Sequence, residues 1–133
     1  MIHGVGTDIA AVARLASLYD RHGERALEKL LAPTEREAFE RAADKGRFLA
    51  KRFAAKEAFG KALGIGVAAP ATLPNVAVSH DDLGKPLFIY APELNALMQE
   101  RGLVAHLSIS DEKDYATAFV VVECVTKSER NTS

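Results

Sequence analysis

The chain has 133 residues, 48% hydrophobic and 26% charged, with 17 Lys and Arg against 18 Asp and Glu and a formal net charge of −1. That composition excludes a disordered chain, the length leaves no second core, no apolar run nears the ~20 residues of a bilayer span, and the balanced charge argues against a general nucleic-acid binder. The single cysteine, Cys124, excludes a disulfide framework or a cysteine-based zinc site and points to a reducing cytoplasm.

The opening MIHGVGTD lacks a basic region followed by an apolar core, so no signal peptide is expected. One domain is expected over 1–126, with a frayed polar tail, KSERNTS, at 127–133. So small a domain leaves little room for a deep pocket. A large ligand is therefore expected at a subunit interface.

In chain order, Ile2–Ile9 reads as a strand interrupted by two glycines. Val12, Leu15, Leu18 and Tyr19 repeat at helical spacing over 12–22. Gly23 bends or breaks that helix, and 24–31 resumes it. Thr34-Glu35-Arg36-Glu37 fits a capping box, so a new helix is expected after Pro33. A further helix is expected over 48–63, with Gly64 as its C-cap. Strands follow at 76–79 and 87–90 around the turn Asp81-Asp82-Leu83-Gly84-Lys85-Pro86. Pro92–Arg101 reads as a short helix. In 104–110, Val104, His106, Ser108 and Ser110 share one strand face, and Ala105, Leu107 and Ile109 the other. A long apolar strand, 115–125, closes the pattern, with Cys124 read as a small core residue. Early helices and late antiparallel-looking strands give an α+β class.

The segment FLAKRFAAKEAFGKAL carries the most information. At about 100° per residue, Ala50, Ala54, Glu57 and Lys61 form one stripe, and Arg52, Lys56, Phe59 and Leu63 another. No sector is purely polar, so the helix is expected to be mostly buried, and its charges need partners or ligands. Glu57 and Lys61 are one turn apart. They form either a plain helix salt bridge or a carboxylate for Mg²⁺ beside a lysine that neutralises phosphate. A second carboxylate would be needed. Asp8, ending Gly4-Val5-Gly6-Thr7-Asp8, is the candidate, against the alternative of a helix N-cap. The glycines permit close approach of a ligand or a neighbouring element.

Four blocks, GVGTDIA at 4–10, FLAKRFAAKEAFGKALGIG at 48–66, DDLGKP at 81–86 and HLSISDEKDYATA at 106–118, together resemble the bacterial holo-acyl-carrier-protein synthases, the short-type 4′-phosphopantetheinyl transferases. The resemblance runs from residue 1 to about 124. It implies transfer of the 4′-phosphopantetheine arm of coenzyme A to a serine of apo acyl carrier protein in fatty acid biosynthesis. Adenosine 3′,5′-bisphosphate would leave, Mg²⁺ would be required, and a homotrimer would carry its sites between subunits. It implies Asp8 and Glu57 as metal ligands. Lys61 would neutralise charge on the pyrophosphate, and either a carboxylate or metal-bound water would accept the serine proton. Arg52 and Lys56 would bind coenzyme A phosphates. Gly84, Lys85 and Pro86 would lie near the nucleotide, against a plain hairpin turn, and His106, Ser108 and Ser110 would line its site. Asp111 stands where some members carry His, which puts a histidine general base there in doubt.

Arg14, Leu18, Arg21 and Arg25 share a helical face if the helix continues past Gly23, and Lys29 extends it. A solvated face is the alternative, because Asp20, Glu24 and Glu28 are interspersed. The resemblance implies that this face docks the acidic carrier protein. No nucleic-acid or membrane partner is expected. His3, His22 and His80 show no shared spacing.

Overall fold

A computed structural model describes residues 1–125. Its elements run β1 (Ile2–Ala11), α1 (Val12–His22), α2 (Glu24–Leu30), a 3₁₀ turn at Pro33–Glu35, α3 (Arg36–Arg41), α4 (Lys45–Leu63), a 3₁₀ turn at Leu73–Asn75, β2 (Val76–His80), β3 (Pro86–Tyr90), α5 (Pro92–Arg101), β4 (Leu103–Asp111) and β5 (Tyr115–Cys124). The polar tail expected at 127–133 lies outside the described residues.

Two antiparallel sheets result. β1, β5 and β4 pair in that order, and β2 and β3 form a separate hairpin. The α4 helix crosses the three-stranded sheet. Ala50, Ala54, Ala58 and Ala62 are all buried along one side of it, and these small residues let a strand approach the helix backbone. In β1 the complement is Gly4 and Gly6. A Cβ on Gly4 would stand 2.1 Å from the Ala62 carbonyl oxygen, and one on Gly6 2.1 Å from that of Ala58. No larger residue fits there. On another side of α4, Phe59 packs against Phe88 and Tyr90 of the hairpin, with centroids 5.1 and 5.4 Å apart. Phe39, fully buried, meets Tyr19 and Phe48 edge-on. Burial of each such ring contributes about 1.5–3 kcal/mol.

Several boundaries differ from expectation for identifiable reasons. The α4 helix starts three residues earlier, because the Asp44 side chain accepts from Arg47 N at 3.0 Å and caps it. The capping box over 34–37 does not form. Glu35, not Glu37, turns back, its Oε1 accepting from Ala32 N at 2.8 Å, and Ala32 has no side-chain oxygen to reciprocate. Cys124 is exposed rather than a core residue: it is the last residue of β5, where its backbone pairs with Met1 while its side chain stays exposed.

The three-stranded sheet covers α4 with one face only. Its other face presents Val5 (56% exposed), Ile9 (61%) and Phe119 (49%), with Tyr115 and Val104 beside them.

Candidate active site

Alternation along β1 sorts its side chains. Val5, Thr7 and Ile9 turn outward, while Gly6 and Ala10 are buried towards α4 and Asp8 shares their side. The Asp8 side chain is 18% exposed. Its Oδ1 lies 3.3 Å from Lys61 Nζ, which also donates to Thr7 O at 2.9 Å. Its Oδ2 is buried and has no hydrogen-bond partner. The N-cap alternative for Asp8 fails: Ala11 precedes α1, and no side chain caps that helix.

Glu57 lies one turn before Lys61 on α4. Burial raises its pKa, and the Asp8 charge raises it further, while Lys61 and Arg14 pull the other way. Lys61 reaches across to β1 rather than forming a helix pair with Glu57. Two carboxylates are therefore close enough to repel each other, and one of their oxygens is orphaned. Such an atom costs on the order of 1–3 kcal/mol or more when charged, and a cation removes that cost. Oxygen-only ligands fit Mg²⁺, which typically takes one or two carboxylates and completes its shell with water and substrate phosphates. Among the described residues, no group of three or more His, Cys, Asp or Glu could hold a metal alone. The donor set thus fits a metal shared with a substrate.

Arg52 and Lys56 occupy a different place. Lys56 is 1% exposed. Its ammonium donates to Glu35 Oε1 at 2.5 Å, Leu30 O at 2.7 Å and Leu73 O at 3.0 Å, so all three donors are used. Burial pushes its pKa down to about 8 despite the Glu35 carboxylate. A phosphate-binding role for Lys56 is thereby overturned. Arg52 is also largely buried, with Nη1 donating to Glu35 Oε2 at 2.9 Å and to Val78 O, and its guanidinium lies 4.4 Å from the Phe48 ring centroid. Unlike Lys56, it still borders open space, a cavity of about 290 Å³ also lined by Asp44, Arg47, Phe48, Lys51, Val78 and His80.

Sequence reasoning missed Arg47, Lys51 and Glu35. The run KGRFLAKR showed the cations, and two cations on a buried stripe called for an anion. Burial lowers the His80 pKa, helped by the Arg52 and Lys51 charges. Asp111 ion-pairs with Arg47 at 3.0 Å and lies 3.8 Å from Lys51. It is therefore engaged with cations rather than free to act as a base.

Asp81 organises the Gly84-Lys85-Pro86 turn, its Oδ1 accepting from Leu83 N and Lys85 N at 2.9 Å each. His106, Ser108 and Ser110 are exposed on β4, and Leu107 is buried on the opposite side. His106 Nε2 meets Glu123 Oε1 at 2.8 Å. Within one chain the sheet therefore separates these three residues from Asp8, Glu57 and Lys61.

The basic stripe is also divided. Gly23, at φ 51° and ψ −124°, separates α1 from α2. Arg14 lies over Phe53, 5.3 Å from its centroid, and close enough to Glu57 to influence its charge. Leu18, Arg25 and Lys29 line a groove of about 370 Å³ with His22, Ala26, Leu30 and Leu73, and Arg21 is exposed outside that lining.

Comparison with known proteins matches residues 4–120 to the 4′-phosphopantetheinyl transferase superfamily. The holo-[acyl-carrier-protein] synthase of Dechloromonas aromatica (strain RCB) is 62% identical over 123 residues, covering 92% of this chain and 98% of that protein. The crystal structure of the Neisseria meningitidis enzyme of that name superposes with a TM-score of 0.89 at 44% identity, covering 92% of this chain and 99% of that one. A Bacillus anthracis holo-(acyl-carrier-protein) synthase, solved in complex with CoA (3′,5′-ADP), gives 0.79 at 34% identity over 94% and 99%. The chain belongs to the 4′-phosphopantetheinyl transferase superfamily, among its holo-acyl-carrier-protein synthases.

Proposed function

We propose that this chain transfers the 4′-phosphopantetheine arm of coenzyme A to a serine of an apo acyl carrier protein, releasing adenosine 3′,5′-bisphosphate, with Mg²⁺, in the cytoplasm and in the service of fatty acid biosynthesis. The observation that carries the reading is the buried, unpartnered Asp8 Oδ2 beside Glu57 and Lys61. Asp8 and Glu57 would hold the metal, whose chemistry is to neutralise the pyrophosphate as charge moves onto the departing phosphate. Lys61 Nζ, on a side chain 52% exposed, adds a second positive charge from the solvent side. The rigid β1–α4 contact fixes both carboxylates relative to each other, and phosphoryl transfer depends largely on such positioning.

Arg52 is the coenzyme A contact on the cavity side, and Gly84, Lys85 and Pro86 form a turn near the nucleotide. His106, Ser108 and Ser110 complete the nucleotide site from a neighbouring subunit. The separation of these three from Asp8 by the sheet, and the open apolar face around Val5, Ile9 and Phe119, support a homotrimer with sites between subunits. Arg14, Leu18, Arg21 and Arg25 form the carrier-protein surface, where complementary charge speeds encounter.

The test uses Asp8→Ala and Glu57→Ala with coenzyme A, Mg²⁺ and a cognate apo carrier. The carrier should gain about 340 Da, the phosphopantetheine arm, with the wild type and essentially nothing with either folded variant. Near-normal rates would refute the metal-ligand assignment. Light scattering should report a trimer, and full activity as a monomer would refute the shared site.

A further inference from the structure

Glu35 is 1% exposed at its side chain and accepts four hydrogen bonds from three parts of the fold: Ala32, α4 and β2. Oε1 accepts from Ala32 N at 2.8 Å and Lys56 Nζ at 2.5 Å; Oε2 accepts from Arg52 Nη1 at 2.9 Å and Val78 N at 3.0 Å. A carboxylate held in this way has no freedom to shift. It does not line the cavity beside Arg52, so it cannot touch a ligand there. Its two cationic partners differ. Lys56 spends all three donors inside the cluster. Arg52 makes both of its hydrogen bonds through Nη1, which leaves Nε and Nη2 without a hydrogen bond among the described residues, on a residue that lines the cavity.

The guanidinium is thus fixed on one edge by Glu35 and Val78 O and on its face by the Phe48 ring. A planar fork fixed at one edge presents its remaining donors in a defined direction, as oxyanion recognition needs. One carboxylate shared by two cations also leaves the cluster one positive charge in excess. Of the other cavity cations, Arg47 is tied to Asp111 and Asp44, and Lys51 faces Asp111. Arg52 differs from both in being held at one edge by buried partners and on its face by an aromatic ring.

We propose that Glu35 is a positioning residue for coenzyme A binding: it aims Arg52 at a phosphate in the 290 Å³ cavity, and it works through Arg52 alone. This rests on the coenzyme A reading above. Lys56 supports it indirectly, by holding Oε1 so that Oε2 faces Arg52.

The test is a mutant cycle read as KM for coenzyme A and kcat, with melting temperature recorded alongside. Arg52→Ala and Glu35→Gln should each raise KM for coenzyme A about tenfold, with kcat changed less than threefold. Glu35→Gln in the Arg52→Ala background should add no further rise in KM, although it still lowers the melting temperature. A purely structural role would move stability without this non-additive KM pattern. If Glu35→Gln does not fold, the cycle is run with Lys56→Met in every protein, which removes the second buried cation. Additive KM effects, or a kcat loss without a KM change, overturn the proposal. An unchanged KM in Arg52→Ala overturns it too, while leaving the transferase reading intact. Absence of any transfer by the wild type removes that reading and the proposal with it.

Discussion

The α4 helix carries two charged clusters with opposite states of satisfaction. Glu35, Arg52 and Lys56 are buried, and every donor and acceptor that faces inward is paired. Asp8, Glu57 and Lys61 are half-open, with two carboxylates in mutual repulsion and Asp8 Oδ2 left alone. Position 52 and position 57 differ by about 7.5 Å along the axis and about 140° around it, so one helix serves both. The satisfied cluster joins α4 to Ala32 and Val78, and in doing so holds both the fold and the Arg52 guanidinium in place. The unsatisfied one stores free energy that a cation and a phosphate release on binding.

Breaking each cluster should therefore give opposite phenotypes. Glu57→Ala should lower the transfer rate by about three orders of magnitude while the circular dichroism melt stays within a few degrees of wild type. Lys61→Ala, which keeps both carboxylates, should cost about a hundredfold in kcat. Glu35→Ala should instead unfold the protein more easily by about 3–5 kcal/mol, because two buried cations lose their anion, and chemical denaturation measures this directly. A charge reversal outside both clusters, Arg14→Glu with Arg21→Glu, should raise KM for the carrier protein about tenfold and leave KM for coenzyme A unchanged. An equal loss for coenzyme A would place the stripe elsewhere than the carrier surface.

The smallest effect sharpens the contrast through pH. Lys56 titrates near 8 in the folded chain against an ordinary 10.5. Between those values the unfolded chain binds the extra proton, so this group makes stability rise with pH there. The melting temperature of wild type relative to Lys56→Met should climb from pH 8 to 10. A flat difference would mean that Lys56 keeps its ordinary affinity for the proton.

The strand-and-helix order was legible because alternation at β4 and the 3.6-residue period at α1 are strong signals, and because Gly64 marks the end of α4. The pairing of Asp8 with Glu57 was legible only through the joint occurrence of the four motif blocks, since spacing alone left a salt bridge and an N-cap open. Gly4 and Gly6 announced a close approach but not its object, which is the Ala58 and Ala62 carbonyls. Lys56 was misread for a physical reason. A lysine in a basic-looking stripe resembles a phosphate ligand until its three acceptors are seen, and two of these are backbone carbonyls with no sequence signature. Glu35 was hidden in the same way, since its partners lie 17, 21 and 43 residues away.

The most direct test of the unsatisfied site is Asp8→Asn, which keeps the shape of the side chain and removes its charge. Followed by mass spectrometry of the carrier protein at saturating Mg²⁺ and coenzyme A, its rate should fall by about a thousandfold. The melting temperature should hold or rise, since the carboxylate repulsion is gone. Labelling within a few-fold of the wild-type rate would contradict the account.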